Sequence, residues 1–244
     1  MPPPRRVALV TGGAKRVGRA IVERLAGAGF GVAFTYLSSE SEAADLRSQL
    51  EASGANALAI KADLTHARRA TDTIATSFAG RFDRLDVLVN SASLYEPATL
   101  ESADLAIARR LMAIHYESPL LLCQAFAPLL RASKGHVVNM VDLLAERPWP
   151  QYVPYCASKA ALWNLTLSLA RDLAPEVTAN GIAPGVVEWP DDYPEPEREK
   201  YLKRVPLARP GTPGDVAETV LFLCTGGSYI TGQIIRLDGG RSIT

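Results

Sequence analysis

An excess of charge of either sign is what this sequence most plainly lacks. Lys and Arg number 26 against 26 Asp and Glu, a formal net charge of zero. No global field therefore draws the chain to nucleic acid or to an acidic membrane surface, although a local basic patch stays open. Cysteine is scarce as well. Cys123, Cys156 and Cys224 are widely spaced, odd in number and without C-x-x-C spacing. That argues against a disulfide framework and for reduced thiols in a cytoplasmic setting, most simply as small apolar core residues. No metal site is expected. Long apolar runs are missing too: Arg5 and Arg6 precede Val7 to Val10, but this run is far short of the roughly 20 apolar residues of a membrane helix. It ends in Thr11-Gly12-Gly13, so it reads as a first strand and not as a leader. Neither an internal repeat nor a low-complexity linker breaks the pattern.

What is present is an alternation of short apolar, β-branched runs with longer segments of helical period. With 48% hydrophobic and 21% charged residues over 244 positions, a sizeable core is available and a single large α/β domain is expected over residues 1–244. Strands are predicted at Val7 to Val10, Gly31 to Tyr36, Ala57 to Ala62, Leu85 to Asn90, His136 to Met140, Val177 to Ala183 and Ile234 to Leu237. Helices are predicted at Val17 to Ala28 (ended by Gly29), Ser39 to Ala52, Ala67 to Ala79, Leu105 to Arg131, Val153 to Leu173 and Pro213 to Cys224. Strands so apolar on both faces fit a parallel sheet covered by helices on each side, a doubly wound α/β fold. The segment Trp189 to Arg204 departs from this. It is rich in Pro and charge, and its place between a sheet strand and the last helix predicts a lid over a cleft in preference to a linker.

The first strand runs directly into Thr11-Gly12-Gly13-Ala14-Lys15-Arg16-Val17-Gly18. Glycine there lets the backbone approach a pyrophosphate, and the following helix supplies free N–H groups and the positive end of its dipole. The same glycines can serve a purely structural turn, but a strand before, a helix after and a second strand beyond favour a dinucleotide. The end of the second strand reads Thr35-Tyr36-Leu37-Ser38-Ser39, with no carboxylate before Glu40. An acidic residue there would bind the ribose 2′-hydroxyl of NAD. Lys15, Arg16 and the hydroxyls of Ser38 and Ser39 suit a 2′-phosphate instead, so NADP(H) is the expected cofactor. Tyr155-Cys156-Ala157-Ser158-Lys159 places a phenol and an ammonium one helical turn apart, about 5–6 Å at Cβ. A free tyrosine with a pKa of about 10 exchanges protons poorly at neutral pH, and a neighbouring cation eases that exchange. Asp142, thirteen residues upstream, ends the fifth strand where it either faces the same cleft or caps a turn.

These motifs occur together and in order as they do in the short-chain dehydrogenase/reductase family: Thr11 to Gly18, Asp63-Leu64, Asn90-Ser91-Ala92-Ser93, Tyr155-x-x-x-Lys159 and Pro184-Gly185. The sequence resembles that family over nearly its whole length. The resemblance implies a seven-stranded Rossmann sheet, commonly in a homotetramer, and hydride transfer from a bound nicotinamide nucleotide. It places Gly12, Lys15, Arg16, Val17, Gly18, Tyr36, Ser38, Ser39, Asp63, Leu64, Asn90, Ser91, Ala92, Tyr155, Lys159, Pro184, Gly185 and Val187 around the cofactor. Most of the family carries serine where this chain has Asp142. Asn139-Met140-Val141-Asp142, the turn Gly13 to Gly18 and Asn90-Ser91-Ala92-Ser93-Leu94-Tyr95 are instead similar to the pteridine reductase branch. That branch implies Asp142, Tyr155 and Lys159 as the catalytic set and Ser93, Tyr95, Asp142 and Tyr155 around a flat pterin or dihydrofolate-type substrate, Tyr95 stacking on one face. A 3-oxoacyl or other carbonyl reductase is the alternative, and a non-catalytic NADP(H)-binding sensor a third. Two positions depart from the branch. Ser38 stands where a basic residue is frequent, which shifts the phosphate onto Arg16. His115 stands where the wider family has asparagine, either joining a proton relay or simply satisfied within the helix layer.

Overall fold

In a computed structural model, residues 6–189 and 194–244 are described. Arg5 and positions 190–193 of the expected lid lie outside them. Seven strands form one parallel sheet: β1 (Val7–Val10), β2 (Gly31–Tyr36), β3 (Ala57–Lys61), β4 (Val87–Asn90), β5 (His136–Met140), β6 (Thr178–Pro184) and β7 (Ile234–Leu237). Their spatial order is β3-β2-β1-β4-β5-β6-β7. The order reverses between β1 and β4, so a crevice opens at the carboxyl ends of those strands, where such sheets bind their ligands. This is the single doubly wound Rossmann domain that the strand pattern predicts.

Period-two alternation between two buried faces explains why a strand such as β1 is apolar throughout. Val7 and Leu9 pack into one layer with Ile74, Phe78, Leu122, Phe126, Leu162 and Leu165. Ala8 and Val10 face the other layer, with Ile21, Leu25, Leu46, Val216 and Val220. The first layer is built from α3 (Ala67–Ala79), α5 (Ser118–Ser133) and α6 (Val153–Asp172). The second is built from α1 (Arg16–Gly27), α2 (Glu40–Ala52) and α8 (Pro213–Thr225). Burying each large apolar side chain contributes about 1.5–3 kcal/mol, so the alternation is strongly enforced. All three cysteines are buried, as small core residues should be. Among the described residues no helix is long and apolar enough to cross a membrane.

Two elements differ from the sequence pattern. The expected long helix Leu105 to Arg131 is α4 (Leu105–Met112), a wide π turn (Ala113–Glu117) and α5. Pro119, in the first turn of α5, has no N–H to give the carbonyl of His115, and the helix opens where that bond is missing. Such π turns concentrate at functional sites, and this one carries His115. The second difference lies in the expected lid, which contains a short helix, α7 (Glu195–Leu202).

Candidate active site

The crevice is a cleft of about 1640 Å³, larger than the 300–1,000 Å³ typical of one drug-sized ligand and suited to a dinucleotide with a second molecule. Every site residue named from the sequence lines it except Asn90. Asn90 is buried within the sheet, where its amide donates to Asn139 Oδ1 at 2.7 Å, and Asn139 in turn donates to Thr166 Oγ1 at 2.9 Å. Asn90 thus ties β4 to β5 beneath the cleft and leaves Ser91, Ala92 and Ser93 to line it.

At the glycine turn the backbone leaves no room for side chains. A Cβ on Gly12, whose φ is +66°, would stand 2.9 Å from Ala92 Cα, and one on Gly18 would stand 2.1 Å from the Gly12 carbonyl oxygen. Thr11 Oγ1 accepts from the N–H groups of Ser91 and Ala92, fixing this turn to the loop after β4. Lys15 precedes α1, and no side chain caps the helix, so its first N–H groups are available to an anion. A pyrophosphate fits this cradle.

The two cations of the turn diverge. Lys15 pairs with Glu42 on α2, the side of the cleft bordered by Tyr36, Ser38 and Ser39. Arg16 has a left-handed backbone, φ +52°, and its Nε donates to Glu188 Oε2 at 2.6 Å, on the loop after β6. Arg16 therefore spans the cleft toward the opposite wall. On the floor beyond β3, Asp63 accepts from the N–H and hydroxyl of Thr65, which hold its carboxyl below the ordinary range.

The reactive centre lies where β5 and α6 meet. Tyr155 donates its phenolic O–H to Asp142 Oδ2 at 2.6 Å, and Asp142 Oδ1 accepts from the N–H of Leu144 at 2.8 Å. Asp142 thus fills both roles open to it from sequence, facing the cleft and capping a 3₁₀ turn (Leu143–Ala145). Burial raises the Asp142 pKa. Burial and the adjacent carboxylate together push the Tyr155 phenol well above its ordinary value, so it rests protonated. Lys159 Nζ donates to the Met140 carbonyl at 2.9 Å, and burial lowers its pKa to about 8.

His115 joins this centre through two serines. Burial, aided by the Lys159 charge, holds its pKa well below the ordinary value, so the imidazole is neutral and carries one N–H. Ser158 donates to the Tyr155 carbonyl at 2.7 Å, so its oxygen accepts from His115 Nδ1 at 2.8 Å. The bare Nε2 must then accept from Ser93, 2.8 Å away, a better partner than the Leu94 carbonyl at 3.5 Å. With its proton committed inward, Ser93 offers the cleft only lone pairs, beside the Tyr155 hydroxyl.

Aromatic rings wall the rest. Tyr95, half exposed, stacks on Tyr152 with centroids 4.5 Å apart and meets Tyr155 edge-on at 4.9 Å. Trp149 and Trp189 both approach Tyr201, at 6.1 and 5.4 Å. Tyr201 also holds the loop after β6 by accepting from the N–H of Val186 at 3.2 Å. Trp149, Tyr152 and Tyr201 also line the cleft, and no motif in the sequence marks them. Tyr152 was within reach, three positions before Tyr155 and immediately ahead of its helix.

A glycine cradle at the switch point of a parallel sheet, with a buried Tyr and Lys on one helix facing it, defines an oxidoreductase with a site for a nicotinamide nucleotide. A family model described as enoyl-(acyl carrier protein) reductase matches residues 12–242. Pteridine reductase 1 of Leishmania tarentolae is 35% identical, over 99% of this chain and 98% of its own. A 3-oxoacyl-[acyl-carrier-protein] reductase of Synechocystis is 32% identical, over 96% of each chain. Among solved structures, a blue fluorescent protein from a metagenomic library in complex with NADPH superposes with a TM-score of 0.89 at 35% identity, over 97% of both chains. The chain belongs to the short-chain dehydrogenase/reductase family.

Proposed function

We propose that this protein is an NADPH-dependent reductase of a pterin or dihydrofolate-type substrate. The observation that carries the reading is the 2.6 Å bond from Tyr155 to the Asp142 carboxylate. The 35% identity to a pteridine reductase supports the same reading, while the 3-oxoacyl reductases at similar identity keep carbonyl reduction as the second. The bound nicotinamide would supply a hydride. Addition of hydride to a C=N bond develops charge on a strongly basic nitrogen, so the proton must be present and aimed; high acidity is not required. Asp142 keeps that proton on Tyr155, and Lys159 stabilises the phenolate left after transfer. Ser93, an acceptor by its bond to His115, suits the amino and ring N–H groups of a pterin edge. The half-exposed Tyr95 and its neighbour Tyr152 suit the flat ring. Trp189 to Arg204 serves as a lid in this reading.

NADPH oxidation with dihydrobiopterin, dihydromonapterin, dihydrofolate and acetoacetyl thioesters tests it. Turnover of the thioesters alone would transfer the protein to the second reading. Binding of NADP(H) without turnover of any of these would favour a sensor.

Two further outcomes are expected. Lys15, with Ser38 and Ser39, is proposed to hold the 2′-phosphate, with Arg16 contributing from across the turn. Lys15→Ala should raise the KM for NADPH about tenfold and leave that for NADH unchanged. The same selective loss in Arg16→Ala alone would move the phosphate to Arg16. The second concerns pH. Reduction needs Lys159 charged, and its pKa lies at about 8. The protonated, active form is therefore lost as pH rises through that value, and kcat/KM should fall tenfold per unit above it. A profile flat to pH 10 would remove the Lys159 charge from the reaction.

A further inference from the structure

At the far wall of the cleft from the glycine turn stands an arginine that forms no ion pair among the described residues. Arg241 opens the 3₁₀ turn (Arg241–Ile243) after β7 and is 8% exposed. Its guanidinium lies over the Tyr201 ring, 5.5 Å from the centroid. Among the described residues no oxygen accepts from that guanidinium, and its Nε is fully buried without a partner. Asp238, on the same turn, turns its two oxygens to the N–H groups of Gly240 and Ser242, and no bond from the Arg241 guanidinium reaches them. The backbone of Arg204 meets the same turn: the Thr244 hydroxyl is 2.8 Å from the Arg204 carbonyl and 3.1 Å from that of Arg241. Both arginines line the cleft. A buried guanidinium costs several kcal/mol unless an anion pairs with it, and natural folds retain such a charge where it meets a ligand.

We propose that Arg241, assisted by Arg204, is an anion subsite that takes a carboxylate carried on the tail of the substrate. The guanidinium lies over Tyr201 on the turn after β7, a different element from those that carry Tyr155 and Asp142, so the placement suits a tail and not the reacting ring. A planar guanidinium matches a carboxylate with two parallel hydrogen bonds. The proposal rests on the substrate reading above and extends it: among pterins, a ring conjugated to a glutamate-type tail is favoured over a bare one.

The test uses ligand pairs that differ only in charge. Folate and its diamide are titrated against the enzyme saturated with NADP⁺, read by the fluorescence of Trp149 and Trp189. A 3-oxoacyl ester bearing a terminal carboxylate and its amide are compared by turnover with NADPH. The acid should be preferred about tenfold or more in whichever pair the enzyme accepts. Arg241→Gln should erase that preference without weakening the amide, and Arg241→Lys should restore part of it. Since no ion pair among the described residues is lost, Arg241→Gln should keep Tm within about 3 °C. If neither folate compound binds, dihydrobiopterin and dihydromonapterin are not turned over, and the oxoester acid is preferred through Arg241, the pterin reading falls and the subsite stands. Equal binding of acid and amide, a preference that survives Arg241→Gln, or a larger Tm loss that the lysine variant restores without the preference, overturns the subsite.

Discussion

Tyr155→Phe is expected to lower kcat by about 10³-fold while NADPH still binds, because a positioned general acid contributes about 10²–10⁴. The ring and its contacts with Tyr95 and His115 survive the change, so only the O–H is lost. A consequence for stability follows from the Asp142 side. The carboxylate keeps the Leu144 N–H but loses its second donor, which costs about 1–3 kcal/mol for a buried acceptor. Thermal unfolding should therefore shift down by a few degrees. Hydride transfer followed at the NADPH absorbance in a single turnover separates this from slow product release. A rate within tenfold of the parent would mean that the proton comes from elsewhere.

Asp142→Ser has the second large effect, and its sign depends on the substrate. Serine can still cap the Leu144 N–H, so the 3₁₀ turn and the fold should persist. Removing the carboxylate takes away the charge that raises the phenol pKa. Tyr155 then becomes a stronger acid, suited to a carbonyl whose developing oxyanion is far less basic than a nitrogen anion. The kcat/KM for a dihydropterin should fall at least 100-fold, and that for an acetoacetyl thioester should hold or rise. Parallel losses on both substrates would reassign Asp142 to holding the loop after β5.

The sheet was legible because strands buried on both faces leave apolar runs, as Val7–Val10 and the Val87, Leu88 and Val89 of β4 do. The glycine turn and the Tyr155–Lys159 spacing were legible because both are local patterns on one element. The π turn at Ala113–Glu117 was not, since only Pro119 hints at it and the apolar period runs on through it. Neither were the partners of Lys15 and Arg16, which come from α2 and from the loop after β6. Asn90 kept its place in the motif, but its side chain serves the sheet. Arg241 lies 99 residues after Asp142 in sequence, and no spacing rule connects a C-terminal turn to a cleft that the central strands open.

The string Ser93–His115–Ser158 links a loop, a π turn and a helix, and its two inner members, His115 and Ser158, have no water to fall back on. Changing any one member alone strands a buried partner, so substitution by single steps passes through a penalised intermediate. Where a relative keeps histidine at this point of the π turn, both serines should accompany it; where the histidine gives way to asparagine, the serines are released to vary.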